Sequence, residues 1–279
     1  MSTEIYYFSG TGNSLHVAKE LQKRMPGTKL LPIAGLLHKE SIHTHSEVVG
    51  FVFPIHMMTY PFPVKKFLKK LDVRSVDYIF AVSVKGGTFI LSDLQLTRIL
   101  IKKGKRLDCY FDLKMPYNSP TGVMPVRIPG MINYPPAETE ISELESHLQS
   151  RLDTIKTIVM NKEKNPEDDS PHGFSLLLKK IVSILMAPFE NFKERSKINY
   201  YVDHTCTGCG ICEKVCLSGK INMSAGKPVW QKQVQCYFCY ACFAYCPLQA
   251  ILVRKLYTEK QGRYVNPDVT AHEIAAQHG

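Results

Sequence analysis

The stretch FSGTGNS, residues 8–14, decides how the first half of this 279-residue chain is read. An apolar run at 5–8 leads into it. Residues 14–25 follow, in which Leu15, Ala18 and Leu21 recur at helical spacing beside Val17. The turn between strand and helix interleaves Ser9, Thr11, Asn13 and Ser14 with Gly10 and Gly12, and it contains neither Lys nor Arg. A nucleotide-hydrolysing P-loop needs G-x4-G-K-S/T. Counted from Gly10, its second Gly and its Lys fall on Leu15 and His16, and Lys19 comes too late. The dinucleotide fingerprint G-x-G-x-x-G fits Gly10 and Gly12 but meets Leu15 at its third glycine. What remains suits a phosphate monoester. Glycines let backbone N–H groups converge, hydroxyls and the Asn amide add donors, and a helix N-terminus supplies positive potential without a lysine.

Outward from this turn, apolar runs alternate with helix-like segments. Strands are expected at 5–8, 29–33, 48–53, 78–84 and 107–113, with helices at 14–25, 64–71 and 91–101. Runs such as VVGFVF and YIFAVSV lack polar alternation, so they predict a parallel sheet covered on both faces. Residues 115–136 hold six prolines and read as a long irregular segment. Residues 138–164 carry a helical stripe of Ile141, Leu144, Leu148, Leu152, Ile155, Ile158 and Val159. This sets a first domain at 1–164, a connecting hinge and amphipathic helix at 165–199, a small domain at 200–256 and a polar tail at 257–279, ordered by docking. The apolar stripe of 174–192 suits a helix that packs the two domains together better than one lying on a membrane surface.

Eight of the nine cysteines fall in two identically spaced sets. Cys206, Cys209, Cys212 and Cys216 read C-x2-C-x2-C-x3-C. Cys236, Cys239, Cys242 and Cys246 repeat it, with Pro247 after the fourth. Zinc sites use separated pairs instead, and no export signal favours disulfides. The doubled spacing points to two 4Fe-4S clusters. In two-cluster ferredoxins the fourth Cys of each run ligates the other cluster. One cluster is therefore assigned to Cys206, Cys209, Cys212 and Cys246, and the second to Cys236, Cys239, Cys242 and Cys216. Leu217 replaces the proline of the first run, which leaves ligation intact. Tyr237, Phe238, Tyr240, Phe243 and Tyr245 crowd the second run, where they shield a cluster or form core. Cys109 reads as a buried, inert thiol in the fifth strand.

Residues 200–253 thus resemble bacterial two-cluster ferredoxins, and FSGTGNS resembles the FMN phosphate loop of flavodoxins. That resemblance implies a five-stranded, doubly wound α/β sheet of order 2-1-3-4-5 with FMN at the switch point between strands 1 and 3, joined to a small α+β ferredoxin-like domain. It places Ser9, Gly10, Thr11, Gly12, Asn13 and Ser14 on the phosphate. The loops after strands 3 and 4 would hold the flavin ring, through Pro54, His56, Met57, Met58, Thr59 and Tyr60 on one side and Lys85, Gly86, Gly87 and Thr88 on the other. The only tryptophan, Trp230, lies in the cysteine-rich part, so no Trp stack is offered. The whole chain is similar to flavodoxin–ferredoxin fusions of anaerobes.

A net charge of +10 invites a nucleic-acid function. Two cysteine-ligated clusters would remove about four charges and a flavin phosphate about two more. What is left argues for redox partner proteins with an acidic surface and against nucleic acid. No run of apolar residues is long enough to span a membrane, and the start of the chain predicts a cytoplasmic protein. Three functions fit these features. The first is an electron relay between the clusters and FMN, converting one- and two-electron chemistry. The second is an FMN-dependent reductase of a small organic substrate, fed with electrons by the clusters, with His56, Tyr60 and Tyr117 as acid–base candidates and 115–136 as a lid or substrate wall. The third is an iron–sulfur module on an empty flavodoxin-like scaffold.

Overall fold

The computed structural model describes residues 1–56, 59–86, 91–116, 137–164, 181, 199–254 and 263–278. The hinge at 165–180, nearly all of the helix expected at 174–192, and most of the proline-rich segment lie outside these residues. The first domain runs β1 (Thr3–Tyr7), α1 (Asn13–Arg24), β2 (Lys29–Pro32), α2 (Ile33–Leu36), β3 (Ile42–His43), β4 (Val48–Pro54), α3 (Phe62–Lys70), β5 (Leu71–Asp72), β6 (Tyr78–Lys85), α4 (Ser92–Ile101), β7 (Cys109–Lys114) and α5 (Glu138–Met160). Five strands form one parallel sheet in the order β2-β1-β4-β6-β7. Counted within that sheet, this is the expected 2-1-3-4-5. The two-residue strands β3 and β5 pair separately and were not foreseen, because two residues leave no periodicity to read.

The apolar runs become the central strands because both of their faces are covered. All of β4 except Pro54, and all of β6 except Lys85, is buried. Tyr6 and Phe51, neighbours in the β1–β4 register, are roofed by Phe67 of α3 at centroid distances of 4.8 and 6.4 Å. Fully burying such a ring contributes roughly 1.5–3 kcal/mol. Gly50 is demanded by packing: a Cβ there would lie 2.3 Å from Cζ of Phe80 on the adjacent strand. The chain crosses from β1 to β2 through α1, and in the opposite direction from β4 to β6 through α3. Right-handed connections then place these helices on opposite faces. α5 returns beside α1 and packs on β7 through Leu148, Leu152, Ile155 and Val159. The reversal opens a crevice at the carboxyl ends of β1 and β4. FSGTGNS leaves β1 there.

The second unit contains β8 (Tyr200–Val202), α6 (Ile211–Lys214), β9 (Ile221–Ser224), β10 (Lys227–Trp230), α7 (Ala241–Ala244) and β11 (Ile251–Val253). β8 pairs antiparallel with β11, and β9 with β10. The β9–β10 turn is Ala225–Gly226, both at positive φ (48° and 72°), as a two-residue turn matching the strand twist requires. A last helix, α8 (Ala271–Ala275), extends into a 3-10 turn (Ala276–His278). Among the described residues no helix is long and apolar enough to cross a membrane.

Candidate functional site

The two cysteine runs, thirty residues apart, fold as copies of one backbone. Gly208 and Gly210 take φ 74° and 76°, and Phe238 and Tyr240, at the same places in the second run, take 54° and 58°. After the fourth cysteines, Gly219 and Gln249 repeat the pattern at 66° and 49°. The left-handed conformation costs a side-chain-bearing residue about 1–2 kcal/mol. The second run accepts that cost at two aromatic residues. In the first run Gly208 has a further constraint, since a Cβ would lie 2.5 Å from the Gly226 carbonyl. Each loop turns so that its third cysteine enters a short helix, Cys212 in α6 and Cys242 in α7.

The thiols fall into two neighbourhoods. Cys206, Cys209, Cys212 and Cys246 line one cavity together with Ile211, Met223, Pro228 and Ile251. The thiol of Cys212 is pushed up to about 11, mainly by burial and then by the neighbouring Cys246, Cys209 and Cys206. Around Cys242 the order is different. Burial comes first, then Cys216, Cys239 and Cys236, with Cys212 last, and the thiol is raised well above its ordinary range. Cys236 is pushed up to about 11 by burial, with Cys216 as its cysteine neighbour. Backbone N–H groups point at sulfur, from Phe238 to Cys236 at 3.4 Å and from Ala250 to Cys246 at 3.2 Å. Such bonds stabilise a thiolate and tune any cluster it holds. Among the described residues no three Cys, His, Asp or Glu side chains close on a single-ion site. Residues 205–251 match the 4Fe-4S dicluster domain family.

Many solved structures align with part of the chain, and three illustrate them. These are the Trp repressor binding protein of Bacillus subtilis (15% identity, 54% of this chain and 96% of that one, TM-score 0.34), the two-electron reduced flavodoxin of Megasphaera elsdenii (15%, 53% and 98%, TM-score 0.32), and an FMN-dependent NADH-azoreductase of Bacillus anthracis (9%, 56% and 98%, TM-score 0.34). No curated protein matches the chain. The strand order carries the fold assignment by itself: a flavodoxin-like sheet is joined to a 4Fe-4S dicluster domain.

The structure brings the turn and the second cysteine run into contact. A Cβ on Gly10 would lie 2.0 Å from the Cys239 carbonyl oxygen and 2.8 Å from the Cys239 Cβ. Tyr237 sits between Phe8, at 6.2 Å, and Phe62, at 6.4 Å. Gly12, at φ 106°, faces Asn266, whose Cβ would stand 2.7 Å from an added Cβ. Close approach of protein is thus a second demand on both glycines, beyond the converging N–H groups expected from sequence. Ser9, Thr11, Asn13 and Ser14 are all buried. The hydroxyls of Ser9 and Ser14 are buried without a hydrogen-bond partner among the described residues. α1 starts at Asn13 with no side-chain cap and no acidic residue in its first turn. Two orphaned hydroxyls beside an uncapped helix start fit a phosphate.

The loops expected to hold a flavin ring leave the carboxyl ends of β4 and β6, on the same edge of the sheet as the turn. Pro54 ends β4 and is half-buried, like His56 and Gly86. His56 and Thr59 exchange backbone hydrogen bonds of 2.8 and 3.2 Å, closing a tight turn. Tyr60 is 7% exposed, its ring edge-on to Phe53 at 6.1 Å. Lys85 is ion-paired with Asp112, and both side chains are largely buried. Met57, Met58, Gly87, Thr88 and Tyr117 lie outside the described residues. Cys109 is buried and bonded to Tyr78 Oη and the Glu163 carbonyl, each at 3.0 Å.

Sequence reasoning missed the contribution of 263–278. Arg263 donates to the carbonyls of Phe243, Gln249 and Ile251 and lies 3.7 Å over the Phe243 ring. Tyr245 Oη donates to the Val269 carbonyl at 3.1 Å. On the other side His16, buried in α1, has Nε2 3.0 Å from Glu145 and Nδ1 3.5 Å from Asp268. Lys19 pairs with Glu273 at 2.8 Å and donates to the Asp268 carbonyl. The segment therefore joins the two units. The Lys19 hydrogen bond, then the Thr270 backbone N–H, hold the Glu273 carboxyl down at about 2. Its folded value lies below the ordinary 4.5, so this stabilisation is complete above about pH 4.5 and fades as pH falls toward 2. Protection of amides 270–278, corrected for intrinsic exchange, should fall in the wild type between about pH 7 and pH 3. Glu273→Gln should show low protection at both, and equal protection of the two proteins at pH 7 would refute the role.

Proposed function

We propose that this chain is an electron-transfer flavo-iron–sulfur protein, relaying electrons between two 4Fe-4S clusters and FMN. One cluster would be held by Cys206, Cys209, Cys212 and Cys246, the other by Cys236, Cys239, Cys242 and Cys216. FMN would be held with its phosphate on residues 9–14 and its ring toward the loops after β4 and β6. Clusters carry single electrons and a flavin carries one or two, so their pairing converts between the two kinds of chemistry. The observation that carries the reading is the close packing of Gly10 on Cys239. A backbone assigned to the flavin phosphate touches one assigned to a cluster ligand, so the two sites are neighbours by construction and not merely tethered. The chain's own residues exclude water there, through Phe8, Phe62 and Tyr237, and supply neutral donors through Ser9 and Ser14.

Protein purified without oxygen should contain about eight iron atoms and one FMN per chain. Iron without flavin would leave the flavodoxin-like half a docking scaffold. The reduced protein should be reoxidised by carrier proteins. Rapid, stoichiometric oxidation by a small organic molecule would favour the reductase reading instead. The acidic-partner expectation rests on the net charge alone, and a cytoplasmic location remains part of this proposal.

A further inference from the structure

Gln277, fully buried, spends its side-chain amide on one residue of the turn. Its Oε1 accepts from the Ser9 backbone N–H at 3.0 Å, and its Nε2 donates to the Ser9 carbonyl at 2.7 Å. One amide that bonds both polar groups of a residue fixes the peptide planes on either side of it, and so the direction of its side chain. Two residues on, the Asn266 backbone N–H donates to the Thr11 carbonyl at 3.0 Å. Asn13 Oδ1 accepts from Tyr264 Oη and Asn266 Nδ2, each at 3.2 Å, and Asn13 Nδ2 donates to the Pro116 carbonyl at 3.0 Å. Burial first, then the nearby Glu145, raises the Tyr264 phenol, which keeps it a neutral donor.

We infer that residues 263–278 complete the phosphate turn, with Gln277 the positioning residue for Ser9, and Asn266 and Tyr264 those for Asn13. The inference rests on the reading of residues 9–14 as a flavin-phosphate site. Asn13 becomes a strut held by three protein partners. Ser9 and Ser14, with their orphaned hydroxyls, are left to face the phosphate. Lys19, nearly two turns into α1, is held by Glu273 and the Asp268 carbonyl, which keeps its ammonium engaged with the tail. A turn whose backbone is fixed before the ligand arrives loses less freedom on binding, and the gain appears as affinity.

The test compares FMN with riboflavin, which has the same ring and no phosphate, on the full chain with its clusters in place. In the wild type FMN should bind much more tightly. Gln277→Leu should weaken FMN by about tenfold or more, the effect of leaving two buried backbone groups unpaired. Riboflavin affinity and the cluster absorption should not change. Equal weakening of both ligands, or loss of cluster absorption, makes Gln277 a structural residue only and overturns the inference, as does unchanged FMN affinity. Should Gln277→Leu fail to fold, Asn266→Ala is read on the same scale. It deletes one bond to Asn13 and the bond that Asn266 Oδ1 accepts from the Asp268 N–H, and keeps the backbone bond to Thr11. A wild type that binds FMN no better than riboflavin removes the phosphate reading itself, and the inference with it. A wild type that prefers FMN, with variants that do not differ from it, removes only the inference.

Discussion

Gly10→Val is expected to loosen the flavodoxin-like domain from the 4Fe-4S dicluster domain while leaving the iron in place. The added Cβ alone would stand 2.0 Å from the Cys239 carbonyl oxygen. The obstacle is backbone, which cannot swing aside as a flexible side chain can. It is also the backbone of Cys239, a proposed cluster ligand. Either the turn retreats or the second cysteine run does. Forcing bulk into so tight a contact costs typically 1–3 kcal/mol, occasionally more. Both routes separate Tyr237 from Phe8 and Phe62. Hydrogen exchange should rise on both faces, at 8–14 and at 236–246. FMN occupancy should drop and iron content should hold, because none of the eight cysteines is replaced. Reduction of the remaining flavin by the clusters should slow as well. If exchange rises on only one face, or on neither, the contact is not the joint described here.

Much of this arrangement could be read from the residues, and what could not has physical causes. The central strands β4 and β6 showed because buried parallel strands are continuous apolar runs, with turn chemistry between them. The two cysteine runs showed because C-x2-C-x2-C-x3-C spacing is a local property. The joint between the halves did not show. Gly10 and Gly12 are conspicuous in FSGTGNS, but a glycine admits either a ligand or another backbone, and only the three-dimensional contact with Cys239 and Asn266 tells which. Phe238 and Tyr240 read as core or shielding aromatics. Their positive φ emerges only when the second run is laid over Gly208 and Gly210 of the first, a comparison the sequence allowed. The tail carried one legible signal, Thr270-Ala-His-Glu273. It folds as a capping box, with Thr270 Oγ1 accepting from the Glu273 N–H at 3.2 Å and Glu273 accepting from the Thr270 N–H at 2.9 Å. A box predicts that a helix starts, not what the helix docks on. Gln277 sits 268 positions from Ser9, and no periodicity links them.

The largest effect on the clusters is expected from Cys246→Ser, and it should fall on the cluster nucleated by the other run. Cys246 follows Cys236, Cys239 and Cys242 in sequence. Yet it lines a cavity with Cys206, Cys209 and Cys212, and it stands first among the cysteines that raise the Cys212 thiol after burial itself. Cys216 bears the same relation to Cys242. The exchange follows from the fold: α6 and α7 carry the chain away from each loop and pack on each other, which delivers each fourth cysteine to the opposite site. Cys246→Ser should therefore lower iron from about eight atoms to about four. Adding Cys206→Ser should remove no more, since both changes strike one cluster. Adding Cys236→Ser should remove the rest. Were each run to bind its own cluster, the outcomes would trade places: Cys246→Ser with Cys236→Ser would keep about four iron atoms, and Cys246→Ser with Cys206→Ser would keep none. The two double variants decide between the pairings without reference to potentials or partners. The result also bears on the proposed relay, because Cys239 is the proposed ligand whose backbone rests on Gly10. The cluster lost in Cys216→Ser should be the one next to the flavin turn, and the one lost in Cys246→Ser the one beyond it.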